Sequence, residues 1–315
     1  MRMRLPALTF ALATGLVATD PAAAQVPGRD AASHPAQPPR TAAAPATGQQ
    51  SQGMTRPTAA PMQVSAELDA TLRVWERQSA QIQKLTGEHQ RFVYDSISGI
   101  EKRGKGKFWF ASPDRGRLDL VPVKVPDGAL NEGMKTKDGK PYSVKSDIQA
   151  MWVCNGEEVL QVEAEQKGYY RTEIPPELRG KNIMQSPLPF LFGMKADEMK
   201  SRYRLKFGRS NTYRPGQDPA GSIVHITAYP TRKSDATNWS QADVYLDGAT
   251  FLPRQIVLRD PYGSQITRYS FNLKTMAVNK NSWFQRSDPF HPNLSRYKLL
   301  GEQTAQRKVS QTPAR

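Results

Sequence analysis

A chain of 315 residues carrying a net charge of +15 and one cysteine, Cys154, can form no internal disulfide and has to rest on a hydrophobic core. The charge calls for anionic neighbours, such as a membrane surface or a polyanionic wall, or else serves solubility alone; nucleic acid fits least for an exported chain. Export is read from the first residues. Arg2 and Arg4 precede the apolar run Leu5 to Ala18, which is shorter than the about 20 residues a membrane span needs. Small residues follow, ending at Ala22-Ala23-Ala24. This is the pattern of a signal peptide (residues 1–24) cleaved near Ala24, which leaves a soluble periplasmic chain. The alternative is an uncleaved anchor.

Residues 25–62 are rich in Ala, Pro, Gln, Thr and Gly and poor in large apolar side chains, the composition of a disordered linker. Val64 to Leu85 reads as an amphipathic helix. Ser65 can cap it, Asp69 lies near its positive end, and Leu68, Leu72, Trp75, Ile82 and Leu85 form one stripe, with Gly87 as the stop. Strands then dominate. Gln90–Ile97 carries Phe92 and Tyr94 on one face. Lys105–Phe110 carries Phe108 and Phe110 opposite Trp109. After the Ser112-Pro113-Asp114 turn, Arg115–Val121 sets Leu118 and Leu120 against Arg115, Arg117 and Asp119. Pro122 to Asp147 lacks periodicity and reads as a polar insertion loop. Met151–Cys154, Val159–Ala164 and Tyr169–Glu173 follow as strands joined at Asn155-Gly156 and Lys167-Gly168.

Ile183 to Met194 is apolar all round and broken by Pro187 and Pro189, so it reads as a short helical plug or lid over an apolar face. Ala196–Lys200 continues it as a polar helical turn. Tyr203–Phe207 and Ser222–Tyr229 are further strands. A meander from Ala242 to Asp288 closes the sheet, turning at Asp247-Gly248 and Pro261-Tyr262-Gly263. The predicted fold is mainly β (α+β): a curled antiparallel half-barrel of about ten strands, with an N-terminal amphipathic helix and an apolar helical lid. Its domain spans 63–291, and 292–315 is a basic tail.

The order of these stretches resembles the LolA-like periplasmic lipoprotein carrier superfamily. The stretches are Gly104-Lys105-Gly106-Lys107-Phe108-Trp109-Phe110 with Pro113, Trp152 to Leu160, Ser186 to Leu191, Leu252 to Ile256, and Asp260 to Ser264. The chain also resembles an uncharacterised secreted planctomycete family of that fold. The resemblance covers Leu68 to about Pro289 and implies a half-closed barrel whose concave face holds acyl chains. The carriers' arginine before the turn proline is Ser112 here, and a following aromatic is Gly116.

No catalytic constellation is legible. His89, His225 and His291 are far apart, and no HExxH or CxxC occurs. Gly104-Lys105-Gly106-Lys107 lacks phosphate-loop spacing, Ser186 has no nucleophile elbow, and Cys154 lies in a strand without a His partner. The sequence therefore reads as a non-enzyme with no cofactor and no metal. Phe92, Tyr94, Phe108, Phe110, Leu118, Leu120, Phe190, Leu191 and Phe192 are the candidate lining of a hydrophobic cavity and lid; the alternative is a plain packed core. The expected role is binding of lipid or lipoprotein acyl chains for envelope trafficking, with transient contact with membrane components and no nucleic acid. The alternative is an envelope sensor or wall-associated protein-interaction scaffold.

Overall fold

The computed structural model describes residues 64–180, 190, 195–280 and 288–303. The leader and linker (1–62) and most of the Ile183–Met194 insert fall outside them. The first element is α1 (Ala66–Ala80), capped by Ser65, whose hydroxyl accepts the Leu68 amide at 3.2 Å. Leu68, Leu72 and Trp75 form its buried stripe. The helix is shorter than its periodicity implied. Leu85 belongs to the next strand, and Gly87 is not a stop but a strand glycine, where a β-carbon would meet the Phe108 ring at 2.9 Å.

Eight strands follow: β1 (Lys84–Asp95), β2 (Ile100–Ala111), β3 (Arg115–Pro122), β4 (Leu130–Lys135), β5 (Pro141–Ser146), β6 (Ala150–Cys154), β7 (Glu158–Glu163) and β8 (Gly168–Glu173). Then come α2 (Ala196–Arg202), β9 (Tyr203–Phe207), β10 (Ile223–Pro230), α3 (Lys233–Ala236), β11 (Gln241–Asp247), β12 (Pro253–Arg259), β13 (Gln265–Phe271), β14 (Ala277–Val278) and β15 (Lys298–Gln303). They form one fifteen-stranded sheet with the main path β15-β8-β7-β6-β3-β2-β1-β13-β12-β11-β10-β9. It is an open, curled, mostly antiparallel sheet with few helices, as the half-barrel reading requires.

Two segments differ from expectation. The stretch read as an insertion loop contains the β4–β5 hairpin, and β5 pairs in parallel with β2 from Ile100↔Ser143 to Arg103↔Ser146. Its alternation is only four residues long, with Tyr142 and Val144 buried on the outer side of the sheet, which is too short to stand out among lysines and glycines. The basic tail likewise supplies β15, which pairs in parallel with β8.

Register divides the sheet into two faces. Antiparallel partners point to the same side, so Leu85, Phe108, Phe110, Leu118, Trp152, Cys154 and Val159 share the inner face with Tyr269, Ile256, Val244, Ile226 and Leu205. These residues and the α1 stripe form one core, which Met199 of α2 joins. A smaller outer cluster gathers Ala111, Val153 and Leu160 beneath Phe290. There Arg117 donates to the Pro289 carbonyl at 2.9 Å, and the Arg115 guanidinium lies 5.1 Å from the Phe290 ring centre.

Candidate functional site: the inner face of the half-barrel

The inner face is built around glycines. Opposite β1, the β2 glycines at 104 and 106 leave a trough where a side chain would collide. A β-carbon at Gly104 would meet Leu120 at 2.6 Å and Asp147 at 3.2 Å, and one at Gly106 would meet the Asp119 carbonyl oxygen at 1.8 Å. The β2–β3 register runs from Lys105↔Val121 to Phe108↔Leu118 and skips Gly106 and Lys107. Into this gap reaches His89 of β1, whose Nε2 lies 2.9 Å from the Asp119 carbonyl. That oxygen can only accept, so Nε2 carries the proton. Burial pushes the His89 imidazole down to about 4, against the smaller opposing effect of that hydrogen bond, so the ring is neutral at pH 7. This explains the Gly-Lys-Gly-Lys run: the glycines admit His89, Leu120 and Asp147 inward while both lysines face water.

Beside His89 lies a buried ion pair. An Arg91 guanidinium nitrogen is 3.1 Å from an Asp147 carboxylate oxygen, and their side chains are 3% and 0% exposed. The other Asp147 oxygen accepts the Ile148 amide at 2.9 Å. Burying two charges costs several kcal/mol per ion before their attraction offsets it, so the pair fixes geometry more than it adds stability. Next to it is a cavity of about 30 Å³. Its wall includes Leu118, Leu120, Ile148, Ala150, Trp152 and Tyr269. That volume admits a water or two; sites for drug-sized ligands run to roughly 300–1,000 Å³.

α1 and α2 pack on part of the apolar wall. The two helices are tied by one surface ion cluster. Lys200 Nζ donates to Asp69 at 2.5 Å and lies 2.9 Å from Asp197, Arg73 pairs with Asp69 at 2.9 Å, and the Ala196 amide donates to Glu76 at 3.2 Å. Solvent screens pairs of this kind, so each adds little to stability. At the far edge Phe190 is buried against Tyr203 (ring centres 5.3 Å) and Trp239 (5.7 Å).

The nine sequence-proposed residues therefore divide. Phe108, Phe110, Leu118 and Leu120 share the inner wall, and Phe190 is buried in the same core. Leu118 and Leu120 border the cavity. Phe92 and Tyr94 do not join them. They project from the outer face of β1, where Arg268 stacks on Phe92 at 4.5 Å and donates to the Tyr94 hydroxyl at 2.7 Å, and Tyr142 of β5 covers Tyr94. Leu191 and Phe192 lie outside the described residues. Sequence reading missed Trp152, Ala150 and Tyr269 as wall residues; β6 is apolar throughout (Ala-Met-Trp-Val-Cys), so its pattern does not say which side chains face the wall. It also missed Arg91 and Asp147, whose pairing over 56 residues leaves no local trace.

Other chemistry-bearing groups have structural partners. His225 is buried with its Nδ1 accepting the Ser210 amide at 3.1 Å and its Nε2 3.2 Å from Asp243. Cys154 is buried, and its thiol donates to the Asp114 carbonyl at 3.1 Å. Burial pushes that thiol up to about 11, which makes it a poor nucleophile. Among the described residues, no group of three or more His, Cys, Asp and Glu side chains could hold a metal ion, and no helix is long and apolar enough to cross a membrane.

No family model and no curated protein matches the chain. Solved structures do. An uncharacterized conserved protein from Thermus thermophilus is similar at 8% identity and a TM-score of 0.38, over 74% of this chain and 99% of that one. MucB in the Pseudomonas aeruginosa MucA/MucB complex is similar at 14% identity and a TM-score of 0.33, over 69% of this chain and 61% of that one. A LolA superfamily protein from Nitrosomonas europaea is similar at 5% identity and a TM-score of 0.31, over 70% of this chain and 99% of that one.

Proposed function

We propose that the chain is a non-catalytic periplasmic binding protein that holds the acyl chain of a lipid or lipoprotein on the inner face of its half-barrel, for envelope trafficking. The observation that carries this reading is the apolar wall from β9 to β7, which is covered by a helix along part of its length and ends in a small cavity beside Leu118, Leu120 and Trp152. A cavity of about 30 Å³ holds no acyl chain, so the guest takes the place of α1. The magnitudes allow this exchange. Leu68, Leu72 and Trp75 together contribute roughly 5–9 kcal/mol by burial. A chain of about 12 methylenes gains about 10 kcal/mol at roughly 0.8 kcal/mol each. The clasp between α1 and α2 is ionic and mostly at the surface, so it opens at low cost.

The test is uptake of a fluorescent fatty acid by the full chain and by two variants. Leu72→Ala weakens the seat of α1 on the wall and is expected to raise uptake at least about fivefold, with a lower thermal midpoint. Lys200→Ala loosens the clasp and is expected to raise uptake. Uptake that is absent in all three proteins, or equal in all three, contradicts the reading.

A further inference from the structure

Two hairpin tips hold large apolar side chains in water. Ile97 in the β1–β2 turn is 84% exposed, and Tyr262 in the β12–β13 turn is 89% exposed. Most surface hydrophobics need no explanation. These two are neighbours: β1 pairs with β13 up to Asp95↔Gln265, and the Ser96 amide and hydroxyl both donate to the Ser264 carbonyl at 2.9 Å. Both tips are tightly built. Asp95 accepts the amides of Ile97 and Ser98 at 2.9 and 3.1 Å. Asp260 accepts the Gln265 amide at 2.7 Å and the Ser264 hydroxyl at 2.9 Å. Gly99 and Gly263 take φ of 64° and 68°, which these tight turns need. The side chains are thus presented outward at little further entropic cost.

The same end of the sheet is rimmed with cations. The β4–β5 tip lies against Gly99, where a β-carbon would contact Thr136 at 3.7 Å, and it exposes Lys135, Lys137 and Lys140. The β10–β11 connection reaches the β12–β13 turn, where the Ser240 hydroxyl donates to the Asp260 carbonyl at 2.8 Å, and it exposes Arg232 and Lys233. Arg259 is exposed beside that turn. Asp95 and Asp260 are engaged within their turns, and Asp235 is paired with Arg202. The Asp95 and Asp260 carboxylates keep their charge despite these neutral donors, so with Glu132, which faces Lys135, and Asp138 four acids stand near six cations and the rim stays net positive.

We propose that this rim docks the protein on an anionic lipid bilayer. Ile97 and Tyr262 enter the headgroup region, and Lys137, Lys140, Arg232, Lys233 and Arg259 face anionic phosphates. An aromatic and an aliphatic side chain side by side, ringed by lysine and arginine, match the interfacial layer in both polarity and charge. The inference is independent of acyl-chain binding on the inner face.

The experiment places single environment-sensitive thiol labels on the full chain. Ile97→Cys puts one at the rim, and Gln217→Cys puts one in the exposed β9–β10 connection at the opposite end of the sheet. Both are made with Cys154→Ser, so the introduced thiol is the one labelled. On vesicles of phosphatidylcholine with phosphatidylglycerol, the label at 97 is expected to shift to the blue and to be quenched by lipid-borne nitroxide, while the label at 217 stays in water. Because only the local environment of each label is read, binding through residues 1–24 does not imitate the result. Lys137→Glu with Lys140→Glu is expected to reduce rim insertion at least about tenfold, since each cation near the surface changes partition by roughly fivefold. A label at 97 that remains in water on bound protein, equal quenching at 97 and 217, or equal insertion into pure phosphatidylcholine overturns the proposal.

Discussion

His89 shows how one side chain sets conditions for the whole wall. It is neutral in the folded state, with its value pushed down to about 4 by burial, whereas the unfolded chain has an ordinary imidazole near 6.5. Below pH 6.5 the unfolded state therefore binds more protons than the folded one. The stability His89 supports is present above that pH and is lost as pH falls through the window from 6.5 to about 4. The full effect is at most roughly 3 kcal/mol. Urea unfolding at pH 7 and pH 4.5 checks this. His89→Gln is expected to lose less stability on acidification than the parent, and parallel losses in the two proteins contradict the assignment. Histidine at position 89 was visible in the sequence only as an isolated polar residue. What gives it meaning is Gly106 on the neighbouring strand and a carbonyl one strand further on, a relation that local sequence does not express.

At the level of elements, strands bounded by clear turn signals or alternating over a full strand were easy to read. The β9 boundaries follow from alternation alone, and β6, β7 and β8 are punctuated by Asn155-Gly156 and Lys167-Gly168 as expected. β15 escaped because a non-local parallel pairing with β8 holds it, and the β4–β5 hairpin because its alternation is short and its link to β2 is non-local. The face assignment was half legible. Alternation puts Phe92 with Tyr94 and Phe108 with Phe110, but only the β1–β2 register shows that the two pairs lie on opposite sides of the sheet. The docking of β15 makes a direct prediction. Leu300 lies over Gly168, where a β-carbon would meet it at 2.3 Å. Gly168→Val is expected to release β15 and expose the Tyr297–Gln303 stretch to limited proteolysis while the remaining domain stays folded. Unchanged protection of that stretch contradicts the pairing.

On the scale of the molecule, the half-barrel has two features that a packed sheet alone does not require. Its inner wall is covered by a helix clasped through surface ions, and its rim displays Ile97 and Tyr262 among cations. The first fits an apolar guest that exchanges with a helix, and the second fits a bilayer surface. The sequence carried the fold order and much of the inner wall. It did not reveal how full the interior is, because the same large apolar side chains serve a packed core and a ligand site. The most direct measurement is native mass spectrometry of the full chain purified from its own host. A lipid or lipoprotein adduct is expected, and Leu72→Ala is expected to increase it. A protein that carries no lipid, takes up no fatty-acid probe and instead brings down a stable protein partner would contradict acyl-chain binding and favour a protein-interaction role on the same fold.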